Sequence, residues 1–202
     1  MLRNPIHLRF EKLKNWQSLT FMVCLCERMY PNYHKFCLET GFGDTRIYRC
    51  ILDLLWETLL VKNVKVNFDH QLEKLEDLIP SAESDSIYGV YPAIDACIAL
   101  SGVVHAHLSG EILYHTIAIS EVSVRTVAML AMTLVGKEMT EDELKMLPAV
   151  MKEWDIQWEI FRQLVDCKKT DLDLIKGLRS EIKAAAVSNI GINLMQLKKK
   201  RD

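Results

Sequence analysis

The chain has 202 residues, is half hydrophobic by composition and carries a formal charge of −2. That length fits one domain with a substantial core. The near-neutral balance excludes a protein that holds nucleic acid or a membrane surface by bulk charge. Ser, His, Glu or Arg breaks the apolar runs within about a dozen residues, so no bilayer-spanning segment is expected. The N-terminus reaches Glu11-Lys12 before an apolar signal core forms, so no signal peptide is expected. The six cysteines, at 24, 26, 37, 50, 97 and 167, form no C-x-x-C pair and mostly fall in apolar helical patterns. Reduced, buried thiols in a cytoplasmic protein are therefore expected.

Almost every segment repeats with helical period, and no alternating run is long enough for a sheet. A first helix starts after Asn4-Pro5 and carries an apolar stripe through Leu8, Leu13, Trp16, Leu19 and Met22. It is predicted to stop at Tyr30, because Pro31 disfavours helix in the residue before it. Pro31 then opens a short helix to about Glu39, and Gly41 supplies a left-handed cap. Asp44 caps the next helix, whose Ile47, Cys50, Ile51, Leu54 and Leu55 share a face. Residues 61–67 form a short extended link. Phe68 to Ile79 reads as an amphipathic helix ended by Pro80, and 81–86 is the most loop-like stretch.

Ile87 to Leu108 is the organising stretch. A Tyr88-Gly-Val-Tyr-Pro92 turn, with Gly89 free to take positive φ, feeds a helix over about 92–108 that is apolar nearly all round. Such a helix has no solvent face and should be a central rod. After Ser109-Gly110, Glu111 to Val135 makes one long apolar helix or two broken ones, ending at Gly136. Thr140 and Glu143 have capping-box spacing. Pro148 opens a helix to Cys167, with Trp154, Trp158, Phe161 and Leu164 on one face. Thr170 or Asp171 caps a last helix to about Val187. The result is an all-α, compact bundle of roughly eight to ten helices in one domain over residues 1–193. Residues 194–202 are expected to be a frayed basic tail.

Four segments carry a family resemblance: Cys24-Leu-Cys-Glu-Arg-Met-Tyr-Pro-Asn-Tyr33, Thr40-Gly-Phe-Gly-Asp44, Tyr88-Gly-Val-Tyr-Pro-Ala-Ile-Asp-Ala-Cys97 and Glu153-Trp-Asp-Ile-Gln-Trp-Glu-Ile-Phe161. They resemble the YjaG-like bacterial proteins, an uncharacterised family catalogued as a domain of unknown function. The resemblance runs over nearly the whole chain. It implies a bacterial, cytoplasmic, all-helical protein and carries no assigned reaction, cofactor or partner.

Three places hold candidate site residues. Asp95 lies just after Pro92, where a first-turn carboxylate can accept from free backbone N–H groups. Its alternative role is a base or ligand-orienting group in a pocket with Tyr88, Tyr91 and His105. His105 and His107 point about 200° apart on a helix, so they cannot jointly ligate a metal, although His115 can approach one of them across the break. Trp154, Asp155, Trp158 and Glu159 form two i, i+4 pairs. They read as core tryptophans above solvated acids, or as a partner-binding patch with Trp anchors.

No metal ligand set or cofactor motif is expected. Gly41-Phe-Gly43 lacks a preceding strand and a third glycine, so it is no phosphate loop. E-x-x-H, H-E-x-x-H and G-x-S-x-G are absent from the sequence. Lys198 to Arg201 reads as a solubilising tail, so nucleic acid is not an expected partner. The expectation is a non-enzymatic interaction or regulatory protein, paired with a protein partner or with itself. The alternative is an enzyme or small-ligand binder at Asp95 and His105.

Overall fold

The computed structural model describes residues 2, 4–82 and 89–199, with the side chains of residues 198 and 199 left aside. A 3-10 helix, Pro5–Lys12, leads into α1 (Asn15–Thr40), α2 (Thr45–Leu60), α3 (Phe68–Glu76), α4 (Val90–Ser109) and α5 (Ile112–Val135). Then come α6 (Glu141–Lys145), α7 (Pro148–Val165), α8 (Leu172–Ala185) and α9 (Leu194–Lys199). Among the described residues there is no strand, only an isolated antiparallel bridge between Val187 and Asn193. The fold is all-α, as the helical period dictates.

Several local signals operate as their chemistry requires. Asp44 Oδ1 accepts from Arg46 N at 2.7 Å, and Asp171 Oδ1 accepts from Asp173 and Leu174 N. Thr140 and Glu143 close a reciprocal capping box at α6. Gly41 takes a left-handed φ of 74° at the end of α1. Gly89, by contrast, sits at φ −58° in the helical region, so its freedom is not used.

The centre of the bundle is a pair of helices rather than one. The helix α1 packs against α2, α4, α5, α7, α8 and α9, while α4 packs against α1, α3 and α5. In α4, Ala93, Ala96, Ala99 and Ala106 are buried, and these small side chains let neighbours come close. Gly102 suits that approach, since a Cβ there would lie 3.1 Å from the Ile119 side chain on α5, which would have to give by a few tenths of an ångström.

The predicted break at Pro31 does not occur, and α1 runs unbroken from Asn15 to Thr40. Proline removes one donor and crowds the preceding turn, a local cost of about 3 kcal/mol. Here Met29, Tyr30, Tyr33 and Phe36 are all buried around the proline. Burying such side chains at roughly 1.5–3 kcal/mol each outweighs the local penalty. The break lies instead at Leu13–Lys14, between the 3-10 helix and α1. There Gln17 ties α1 to the end of α7, donating from Nε2 to Leu164 O at 2.5 Å and Cys167 O at 3.0 Å.

The expectation that no segment could span a bilayer is corrected. The helix α5 is long and apolar enough, with a mean hydropathy of 1.5 over its most apolar window. Glu121 and Arg125 do not interrupt it, and Ser120, Ser123 and Thr126 lower hydropathy little. In this fold α5 packs on α1, α4 and α7, with 44% of that window buried. Residues 194–199, expected to fray, form α9, and Leu194 N donates to Ala186 O at 2.9 Å.

Candidate functional site

An open groove of about 690 Å³ runs between α4 and α5. Tyr91, Ile94 and Ile98 form one wall, and Met129 and Thr133 stand on the other. Tyr91, Ile98 and Met129 are each about half exposed, at 55%, 41% and 45%. At the centre Asp95 meets Arg125 and Thr126. An Arg125 Nη2 N–H donates to Asp95 Oδ1, and Thr126 Oγ1 donates to Asp95 Oδ2 at 2.7 Å.

This geometry replaces the helix-start reading of Asp95. Because α4 begins at Val90, Asp95 is its sixth residue, beyond the free N–H groups of the first turn. Its carboxylate is buried, and its partners come from α5 instead. Arg125 is 53% exposed, so the charge pair is well screened. Asp95→Asn is therefore expected to cost about 1 kcal/mol in urea unfolding, since the amide oxygen still accepts from Thr126. Adding Arg125→Ala should cost less than it does alone; strict additivity would show that the pair contributes nothing.

The other predicted residues are distributed differently. Tyr88 lies outside the described residues. Tyr91 reaches the groove beside Asp95, but His105 does not line it. His105 is exposed and faces His115 across the Ser109-Gly110 turn, with rings 6.1 Å apart and nearly parallel. His107 stacks on Phe68 at 4.4 Å, and burial pushes its pKa down. Among the described residues no group of three His, Cys, Asp or Glu is placed to hold a metal.

On α7 the tryptophans flank the core. Trp154 packs on the cluster of Val124, Val127, Ala128 and Val150, and Trp158 stands perpendicular to Phe161 at 5.6 Å. Asp155 is exposed, and Glu159 accepts from Arg162 and Gln163. All six cysteines are free thiols. Cys24, Cys26 and Cys97 are buried, and burial raises their pKa values well above that of an ordinary thiol. Cys50, however, is exposed.

Sequence reasoning missed a second site, a buried polar centre under α7. Glu153 Oε1 accepts from Ser123 Oγ at 2.8 Å and from Gln157 Nε2 at 3.4 Å. Gln157 Oε1 accepts from Ser120 Oγ at 2.5 Å. Arg28 Nη2 lies 2.9 Å from Glu153 Oε2, a charge contact that is close but poorly aligned for a hydrogen bond. Asn189 donates from Nδ2 to Ser123 O and accepts from Asn32 Nδ2 at 2.9 Å, which ties the turn after α8 to α1 and α5. The signal was present in the sequence. Val150, Glu153, Gln157, Ile160 and Leu164 share the inward stripe, so two polar residues occupy core positions. The bulk of Trp154 and Trp158 draws the reading one position around the helix.

These features define an all-α bundle that presents an open apolar groove and encloses a separate buried polar centre. The chain belongs to the family described as protein of unknown function (DUF416), whose family model matches residues 5–193. It is 64% identical to an uncharacterized protein, YjaG, of Salmonella typhimurium over 97% of this chain and all of that one. The YjaG protein of Escherichia coli K12 is 63% identical over 97% of this chain and all of its own length. An uncharacterized protein of Haemophilus influenzae is 45% identical over 96% of this chain and all of its own. The crystal structure of a DUF416 family protein from Shewanella baltica superposes with a TM-score of 0.88 at 32% identity, covering 95% of this chain and all of that one. The family's function is unknown, and these relatives bring no reaction with them.

Proposed function

We propose that the protein is a non-enzymatic interaction protein of the cytoplasm that pairs with a second copy of itself through the outer face of α4 and α5. The supporting observation is that α5 is as apolar as a membrane span, yet only 44% of its most apolar window is buried by its own chain. The exposed remainder adjoins Tyr91 and Ile98 of α4 across the groove. The helix is about 36 Å long, enough to form the spine of a dimer interface. The charges at the centre of the two-helix face, Asp95 of α4 and Arg125 of α5, already neutralise each other. A face that is apolar and internally neutral suits an isologous partner, because the same patch opposes itself without like-charge conflict. Free thiols on all six cysteines agree with a reducing compartment.

The test is oligomeric state. A dimer is expected at micromolar concentration, and Ile98→Glu with Met129→Glu should convert it to a monomer with unchanged far-ultraviolet circular dichroism. A second reading is favoured by Tyr91 and Asp95 meeting in the groove: a small amphipathic ligand occupies it. A monomeric protein whose Ile98 and Met129 signals respond to such a ligand would support that reading and reject self-association.

A further inference from the structure

Lined by none of that groove's residues, two adjoining cavities of about 270 and 320 Å³ lie between α7 and α8, and Arg28 borders both. The first is walled mainly by Ile156, Ile160, Leu178 and Ile182. The second adds polar side chains to its apolar walls, namely Lys152, Glu153, Ser188 and Asn189. Arg28 belongs to both, as do Ile156, Ala185 and Val187, so the two form one cleft with a polar and an apolar end.

The charges in this cleft are unevenly used. The Arg28 side chain is only 11% exposed and that of Glu153 only 1%. Glu153 is engaged on both oxygens, by Ser123 and Gln157 on one and by the charge of Arg28 on the other. Arg28 Nη1 is buried and has no acceptor among the described residues. A guanidinium has five N–H donors and matches a carboxylate in a two-point fork, so Glu153 leaves part of Arg28 unused. Lys152 adds a second cation at the rim. At the apolar end stand Glu159 and Glu181, which repel an anion and so fix the direction in which one would lie.

We infer that this cleft binds a small organic carboxylate, its charged head at Arg28 and Lys152 and its unbranched apolar body along Ile156 and Ile182. The site is separate from the α4–α5 face, and its occupancy does not depend on self-association. The experiment is a titration of the full-length protein with octanoate, followed by isoleucine methyl resonances. Saturable shifts are expected at Ile156 and Ile182, with none at Ile98. Octylammonium, which has the same body and the opposite charge, should not produce them. Arg28→Lys keeps a cation opposite Glu153 but removes the forked donor, and should weaken binding about tenfold. Lys152→Gln, at an exposed position, should weaken it about threefold. Equal responses to octanoate and octylammonium, or none to octanoate, would overturn the inference. If Arg28→Lys does not fold, an unchanged affinity in Lys152→Gln overturns it equally.

Discussion

Glu153→Ala is expected to destabilise the protein by about 4 kcal/mol, because it leaves a buried arginine without its counter-ion. The Glu153 side chain is 1% exposed and that of Arg28 11%. Removing the carboxylate strips Arg28 of its only charged partner among the described residues and takes the acceptor from Ser123 Oγ. Glu153→Gln keeps an acceptor for Ser123 and should cost about half as much. The effect should appear as a lower urea midpoint with an unchanged slope. The control is Arg28→Met with Glu153→Leu, which fills the space with apolar atoms and should recover most of the loss. A double variant no more stable than Glu153→Ala would show that an uncompensated Arg28 is not the source of the loss.

Glu27→Ala should be the second largest loss, about 3 kcal/mol, for the same physical reason in a wetter setting. Glu27 is 6% exposed and accepts from Arg49 Nη1 at 2.6 Å, Arg49 Nη2 at 2.9 Å and Trp56 Nε1 at 2.9 Å. Without it, the buried indole N–H loses its acceptor. Arg49 keeps Asp53, at 2.8 Å from Nη2, which is why the loss should be smaller than at Glu153.

Asp53 also takes Arg179 and Lys183 of α8, so this cluster fastens α1 and α2 to α8. Partial burial works to raise the Asp53 pKa, but Arg49, Lys183 and Arg179 outweigh it and hold the carboxyl at about 2. A depressed folded-state pKa means that the contribution is complete above about pH 4, the unfolded value, and lost as pH falls towards 2. Asp53→Asn should therefore narrow the gap in stability between neutral pH and pH 3. An unchanged gap would show that Asp53 is not tied to the fold electrostatically.

What was legible in the sequence was periodicity and punctuation. Asp44, Gly41, Thr140 with Glu143, Gly136 and Pro148 mark helix ends because each acts through atoms within a few residues of itself. Pro31 misled for the converse reason. Its local penalty is real, but Met29, Tyr30, Tyr33 and Phe36 meet tertiary partners that no local pattern reveals. Asp95 shows the same limit at the site. Its proximity to Pro92 suggested a helix start, whereas its partners, Arg125 and Thr126, lie a helix away on α5. Arg125 looked like an isolated charge because its counter-ion is 30 residues distant in sequence.

The polar centre was hidden by aromatic bulk. Reading the stripe of α7 through Trp154 and Trp158 puts Glu153 and Gln157 at its edge. The stripe through Val150, Ile160 and Leu164 puts them inside, where an acid and an amide need partners. The apolar excess of α4 and α5 was visible in composition, but which part of it faces outward was set only by how α1, α4 and α7 surround α5.

We propose that a second copy of the chain covers this outward part of α5. Sedimentation velocity of the full-length protein over a tenfold concentration range is the decisive measurement. A dimer is expected, dissociating when Ile98 and Met129 are both replaced by Glu, with helix content retained. A monomer at every concentration in the unsubstituted protein, or a dimer indifferent to those two changes, would contradict it.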